Sequence, residues 1–405
     1  MRKTESKKTG QIRIHKAWKV LFVLCGLAAA AIGISINTSG VFYSVVAEDL
    51  GLLRGSFAFH MTIFSFVTAV SALFVPKMLK KIPFKTLLLI SVFTAVVGTA
   101  SMAAATKLWQ FYLLGGIRGF STGLFSVVTI TMVINHWFEA KNGLATSIAL
   151  GFSGIMGAVF SPIFSGIIAL MGWQAAYVAE AGLIVLLCLP AVFYPFNLEP
   201  ENEDLTPYGK SEKIRQSALS APYRSLSSAL LAMLVFSIIV SFISSMTQHL
   251  PGYAETAGLS GAVGAGLLSM GMIGNIVSKL VVGALSDKIG AVKASLVLLA
   301  ANTAGTVLLL FGKPAGLMLF AAFLFGSCYG LGAVSVPLVT RAVFGNHNYA
   351  KRFPVISFAG NTGAALAFSA LGYIYDFTGS YIPAFLLILI LLALSFIALI
   401  MAKRS

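Results

Sequence analysis

The chain is written as long apolar runs separated by short polar breaks. Runs of about 20 residues, the length a helix needs to cross a bilayer, cover residues 20–43, 57–79, 86–105, 109–134, 144–170 and 175–195. A long polar break follows, and six more runs cover 226–248, 262–283, 294–312, 315–340, 354–375 and 381–401. The pattern predicts an all-α membrane protein of twelve transmembrane helices in two six-helix bundles, 20–196 and 226–401. Residues 1–19 read as a basic tail, 197–225 as a linker and 402–405 as a second short tail.

Composition sharpens this picture. Of 405 residues, 58% are hydrophobic and 10% charged, against roughly 25% charged in a soluble domain. The first apolar run is too long for a signal-peptide core and lacks a small-residue cleavage site, so it reads as an uncleaved helix that keeps its basic N-terminus. Cys25, Cys188 and Cys328 all fall inside apolar runs, which argues for packing rather than a disulfide framework or a metal cluster.

The net charge of +15 raises nucleic acid as a partner, but the basic residues are dispersed over short loops. Sorted by loop, one set holds the N-terminal tail, Lys77/Lys80/Lys81/Lys85, Lys141, Lys210/Lys213/Arg215/Arg224, Lys288/Lys293, Arg341/Lys351/Arg352 and Lys403/Arg404; the other holds Arg54, Lys107 and Lys313. The positive-inside rule then places both termini and every even-numbered loop in the cytoplasm. The 197–225 segment, rich in Pro, Glu and Ser, reads as a solvated tether.

Candidate chemistry concentrates between Gly271 and Lys293. An apolar helix there carries Lys279 and ends in a charged turn of Gly283, Asp287, Lys288, Gly290 and Lys293. A cation at the bilayer centre costs roughly 2.5–3.5 kcal/mol on insertion scales, so it tends to face a cavity or a partner; snorkelling to the nearby helix end is the plainer alternative. Asn275, one turn above, shares the face of Lys279 and offers an amide to a carboxylate. Arg118 lies near mid-membrane and either braces the first bundle or serves substrate and coupling. Asn37, Asn302 and Asn361 read first as helix-to-helix hydrogen bonders, with Asn37 the better binding candidate of these. Tyr329, between Gly326 and Gly330, offers a hydroxyl or simply packs.

Glu180 and His60 would carry a coupling proton if buried, although interfacial exposure is the simpler expectation for both. Glu48, Asp49, Glu255 and Asp376 fall in or beside outer loops with no special role expected. Glycines at 151, 154, 157, 261, 264 and 266 allow close helix approach, static or rocking. The sequence offers no phosphate loop, no nucleophile with a base partner and no His or Cys metal spacing, so neither enzyme nor cofactor nor metal is expected.

Several motifs carry a family resemblance. Gly283-x-x-x-Asp287-Lys288-x-Gly290-x-x-Lys293 resembles the loop signature of the major facilitator superfamily, and Arg118-Gly119-x-x-x-Gly123 its helix-four arginine motif. A weak echo, Lys80-Lys81-Ile82-Pro83 against Asp287-Lys288-Ile289-Gly290, fits the internal repeats of such folds. Trp137-Phe138-x-x-Lys141-x-Gly143-Leu144-Ala145, Gly172-Trp173-Gln174, His249-Leu250-Pro251-x-Tyr253, Phe344-Gly345 and Tyr375-Asp376-x-x-Gly379-x-Tyr381 together resemble the monocarboxylate porter and oxalate:formate antiporter branch.

That resemblance implies that Lys279, eight residues before Asp287, stands where the branch carries a carboxylate-binding basic residue, usually Arg. It also implies departures: Asn275 occupies the position of a coupling Asp of animal porters, and Gly360 and Asn361 lie where the oxalate antiporter has a second cation. A monocarboxylate fits better than a dicarboxylate. The expectation is a monomeric secondary transporter of the cytoplasmic membrane, moving a small organic anion by proton symport or anion exchange, with Lys279, Arg118, Asn275, Asn37, Asn361 and Tyr329 binding and the 283–293 turn gating. The alternatives are an exporter of amphipathic solutes and a transporter-like receptor without flux.

Overall fold

In a bilayer every backbone polar group needs an internal partner, and a helix supplies all of them within one segment. The computed structural model describes residues 15–139, 141–209, 228–311 and 314–404, and it is nearly all helix. Hydroxyls inside apolar stretches are satisfied the same way: Ser91 donates to the Leu87 carbonyl at 2.8 Å and Thr303 to that of Leu299 at 2.8 Å.

Eleven helices are long and apolar enough to cross a membrane, and one of these, Leu144–Phe193, holds two. Gly172 interrupts it with φ 85° and ψ 165°, a conformation that a residue without Cβ adopts readily. The twelve helices are α1 (Lys16–Ile34, continued after a turn as Gly40–Asp49), α2 (Arg54–Val75), α3 (Phe84–Met102), α4 (Leu108–Trp137), α5 (144–171) and α6 (173–193). The second half holds α7 (Ser228–Thr256), α8 (Gly261–Ser286), α9 (Ala291–Phe311), α10 (Ala315–Gly345), α11 (Arg352–Thr378) and α12 (Ile382–Ala402). The chain is a multi-pass membrane protein. Helix α7 runs past the expected end at 248: a tight turn at Met246–His249 leads into Leu250–Thr256, where Pro251 sits in the first turn and forfeits no intrahelical hydrogen bond.

Two large apolar cores form, one drawn mainly from 17–208 and one from 230–402, with a small third cluster of Val75, Leu87 and Leu124 in the first half. The halves meet along α2 with α11 and along α5 with α8. Thr62 donates to the Ala365 carbonyl at 2.7 Å, Ser369 to that of Gly55 at 3.1 Å, and Ser269 to that of Ala158. Gly154 and Gly157 permit the α5–α8 approach, since a Cβ on Gly157 would lie 2.8 Å from the Asn37 Cβ and 2.9 Å from Met272. These bonds run from mid-depth toward the end of the bundle away from the termini, so the halves are closed there.

The start of the linker departs from the solvated tether. Trp137 Nε1 donates to the Asn197 carbonyl at 3.0 Å, Tyr208 N–H to that of Trp137 at 2.9 Å, and Glu139 N–H to that of Tyr208 at 3.1 Å. Lys16 pairs with Glu203, and the Tyr208 ring packs edge-on against His15 and Trp18. Aromatic packing and backbone pairing therefore strap residues 197–208 across the first half, an interaction that composition could not reveal. Residues 210–227 of the expected linker, like 1–14 of the tail, lie outside the described residues.

Candidate functional site

A cavity of about 410 Å³ lies between the halves. Ile32 and Ile36 of α1, Phe64, Ser65 and Thr68 of α2 and Ser126 to Val128 of α4 form one wall. Ser244, Ser245 and Gln248 of α7, Tyr329 of α10 and Ser357 and Asn361 of α11 form the other. The first wall is mostly apolar and the second mostly hydroxyl and amide. No ionised side chain lines it among the described residues.

The helices lose regularity where they border this space. Helix α1 has a wide π turn over Ala29–Ile34, α4 breaks at Ser126 with φ −89° and ψ −146°, and α10 passes through a π turn at Leu331–Ser335 just beyond Tyr329. Irregular backbone at membrane depth is tolerated where it lines a cavity, because water or ligand can satisfy the freed groups. Gln248 crosses the divide: its Oε1 accepts from Gly40 N–H of the first half at 3.0 Å, and its Nε2 donates to Tyr329 Oη at 3.4 Å.

The expected site residues divide into three groups. Asn361 and Tyr329 line the cavity, and Asn361 is exposed into it with no hydrogen-bond partner among the described residues. Asn37 and Arg118 are buried braces. Asn37 Nδ2 donates to the Ser153 carbonyl at 3.0 Å, as Asn302 Nδ2 does to that of Phe325 at 2.5 Å. Arg118 Nη2 donates to Glu180 Oε1 at 2.6 Å in an ion pair with both side chains almost fully buried, flanked by the rings of Phe64 and Tyr177 at 5.9 and 6.0 Å.

The third group lies on α8. Lys279 is half-buried and makes no ion pair or hydrogen bond among the described residues. It does not line the cavity directly. It continues the α8 face on which Met272 and Ile276 pack against Gly157 and Gly154 of α5. The neighbouring Ser278 abuts Gly330, next to the cavity residue Tyr329. One turn above, Asn275 is 2% exposed and its Oδ1 has no partner.

In the turn after α8, Gly290 (φ 86°, ψ 152°) ends the helix and its N–H bonds the Ser286 carbonyl. Lys288 and Lys293 are exposed, and Gly283 has open space beside it. This turn borders a groove with Ala342, Val343 and Ala402 of its own half. The side chain of Asp287 lies outside the described residues.

Two expectations are corrected. Glu180 and His60 are not interfacial; each is 2% exposed. Glu180 is held inside by Arg118, and His60 Nδ1 lies 2.5 Å from the Phe57 carbonyl. The outer acids also have partners. Asp376 Oδ1 and Oδ2 accept from the N–H groups of Arg54 (2.9 Å) and Gly55 (2.6 Å) at the start of α2. Arg54 Nη2 reaches Glu48 at 2.5 Å and Glu255 at 3.4 Å, with its guanidinium 4.4 Å from the Tyr375 ring. Asp49 accepts from Trp173 Nε1 at 2.8 Å.

Sequence reasoning missed this inter-half latch, because the partners of Arg54 come from residues 48, 255 and 376. It also missed the polar wall of α7, although Ser237, Ser241, Ser244 and Gln248 recur at helical spacing in an otherwise apolar run. Ser357, one turn before Asn361 on the same face, gave a similar signal.

A family model described as Major Facilitator Superfamily matches residues 23–315 and 265–405. Monocarboxylate transporter 13 of Rattus norvegicus is 23% identical over 295 residues, covering 72% of this chain and 67% of that protein. Monocarboxylate transporter 12 of Homo sapiens is 26% identical over 322 residues, and the match spans 62% of its length. The uncharacterized MFS-type transporter YhjX of Escherichia coli is 23% identical, with 80% of each chain covered. Among solved structures, an inward-facing, unoccupied bacterial homolog of the human lysosomal transporter Spinster superposes with a TM-score of 0.70 at 12% identity, covering 98% and 99% of the two chains. The nucleoside transporter NupG gives 0.73 at 13% identity over 95% and 99%.

Proposed function

The chain belongs to the major facilitator superfamily and is a membrane transporter; from that premise we propose that it moves a small organic anion, a monocarboxylate, across the cell membrane by alternating access. Both termini lie in the cytoplasm, and the cavity loads and empties on that side in the state described here. Lys279 is the anchoring cation. The observation that carries the reading is a lysine within a membrane span, with no ion pair among the described residues, one turn from a buried amide oxygen that lacks a partner. A cation that no protein carboxylate neutralises is a position at which a ligand carboxylate gains the most. The relatives named as monocarboxylate transporters point to the same substrate class.

On this reading the substrate's carboxylate lies toward α8 and its body occupies the cavity, the apolar part against Ile32, Ile36 and Phe64 and any polar substituent against Ser357 and Asn361. The closed end must open for the other half of the cycle, which requires Asp376 to leave the start of α2. Lys279→Ala in proteoliposomes is expected to abolish uptake of labelled carboxylate while the protein still folds, and Lys279→Arg to retain part of it. Undiminished uptake by the alanine variant overturns the assignment.

One observation favours a second reading. Among the described residues the cavity lining carries no ionised group, and it has one apolar wall, which also suits an exporter of amphipathic solutes. That reading requires inhibition by hydrophobic cations and indifference to carboxylates, and the same uptake assay separates the two.

A further inference from the structure

We propose that the carried anion is a polyhydroxylated ring bearing one carboxylate, of the sugar-acid or cyclitol-acid type, and that Ser65, Ser126, Ser357 and Asn361 select it by hydrogen bonds to its hydroxyl groups. The carboxylate rests on the organic-anion reading above; the hydroxylated ring rests on the cavity alone.

A hydroxyl on an apolar helix ordinarily returns to a carbonyl of the preceding turn. Within the lining Ser244 does so, donating to the Ser241 carbonyl at 2.7 Å, and Thr68 donates across to that of Gly119 at 3.0 Å. Ser65 of α2, Ser126 at the α4 break, and Ser357 and Asn361 of α11 make no hydrogen bond among the described residues. Three hydroxyls and an amide, drawn from both halves, therefore keep their hydrogen-bonding capacity for whatever fills the space. A solute that displaces water from them without replacing its bonds leaves polar groups unpaired, and affinity falls. A plain alkyl or aryl carboxylate does that. Ring hydroxyls, each both donor and acceptor, restore the bonds.

Volume and shape narrow the class. A space of about 410 Å³ lies in the range of pockets that enclose a whole drug-sized ligand. The six non-hydrogen atoms of lactate, at a water's share of about 30 Å³ each, take less than half of it; a hydroxylated six-membered ring acid, with about twice as many atoms, fills it. Such a ring presents C–H groups on its faces and hydroxyls around its rim. The faces suit Ile32, Ile36 and Phe64, and the rim suits Ser126 and the α11 side chains. A second carboxylate or a phosphate would meet no counter-charge, because among the described residues no ionised side chain lines the space and an unpaired buried charge is costly. The single carboxylate points past Tyr329 toward α8, where Ser278 abuts Gly330 beside Lys279.

The test uses the full-length protein in proteoliposomes and three ring solutes. Quinate is a cyclohexane ring with a carboxylate and hydroxyls; cyclohexanecarboxylate keeps the ring and carboxylate without hydroxyls; myo-inositol is a hydroxylated ring without a carboxylate. With uptake into protein-free vesicles subtracted, kcat/KM for quinate should exceed that for cyclohexanecarboxylate by at least about tenfold, since each neutral hydrogen bond contributes about two- to tenfold. Equal or better use of the bare ring overturns the proposal. Asn361→Leu and Ser357→Ala should each cut that ratio several-fold by lowering the use of quinate alone. A ratio unchanged in both, in protein with a native melting profile, overturns the assignment of selectivity to these side chains. The wild-type ratio needs no variant, so it refutes or supports the proposal even where a variant does not fold. If neither carboxylate moves, the organic-anion reading falls and myo-inositol decides the rest: its uptake upholds the hydroxylated ring, and its exclusion removes that as well.

Discussion

The latch at the closed end offers the sharpest energetic test of alternating access. Both oxygens of Asp376 are used, each by a backbone N–H at the first turn of α2, at 2.9 and 2.6 Å. Asp376→Asn keeps the shape but sets an amide NH₂ against the Gly55 N–H, donor against donor. A hydrogen bond to a charged group contributes about 1.5–3 kcal/mol, and an anion at a helix N-terminus about 0.3–1 kcal/mol. In the open state water can serve both the aspartate and the N–H groups, so these contributions favour only the closed end. The substitution should therefore shift the equilibrium toward opening by about 2–4 kcal/mol, a factor of roughly 30 to 700 at tenfold per 1.4 kcal/mol. Spin labels on Trp109→Cys at the start of α4 and Ile382→Cys at the start of α12 report the separation of the halves. Cys25, Cys188 and Cys328 are buried and will not compete for label. The expected result is a second, longer distance population in Asp376→Asn that is minor or absent in the parent. An unchanged distribution would mean that these two hydrogen bonds do not hold the halves together.

Further outcomes follow from other contacts. Glu180→Ala leaves the Arg118 charge buried without its acid, so thermal or denaturant unfolding in detergent should show a loss of about 3–5 kcal/mol, with a smaller loss for Glu180→Gln. Gly157→Leu forces a side chain into Asn37 and Met272; with about 1–3 kcal/mol of overpacking at the α5–α8 contact, the melting temperature should fall and transport slow. Asn361→Leu removes an unpaired amide from the cavity wall, and its KM should rise most for carboxylates with a polar substituent while the melting temperature holds. Lys16→Ala removes a partly exposed pair with Glu203, and a stability change below about 1 kcal/mol is expected.

Sequence and structure divide along the range of the interactions involved. The number of spans, most of their limits and the grouping into halves were legible, because crossing a bilayer is a local requirement on about 20 consecutive residues; the ends of α1 and α7, which run on to Asp49 and Thr256, were not. Even the Gly172 break, which joins α5 and α6 without an intervening loop, fell between the two expected runs. The cavity side chains were legible only in part. Asn361 and Tyr329 could be named as polar groups in apolar helices, whereas Ser126 came into view only with the α4 break, and Gln248 only with its bonds to Gly40 and Tyr329.

What the sequence determined alone, then, is which segments enter the membrane and which polar residues go with them. Tertiary structure decided their partners. Arg118 and Glu180 stand 62 positions apart, and Gly55 and Asp376 321 apart. Nothing in either local stretch favours one partner over another, because in an apolar medium a buried charge takes whichever opposite group the packing of helices brings within reach. Glu180 looks interfacial as a position along α6 and is interior once α4 lies against it, and that packing, fixed by side chains spread over the whole first half, converts an unremarkable glutamate into half of an ion pair.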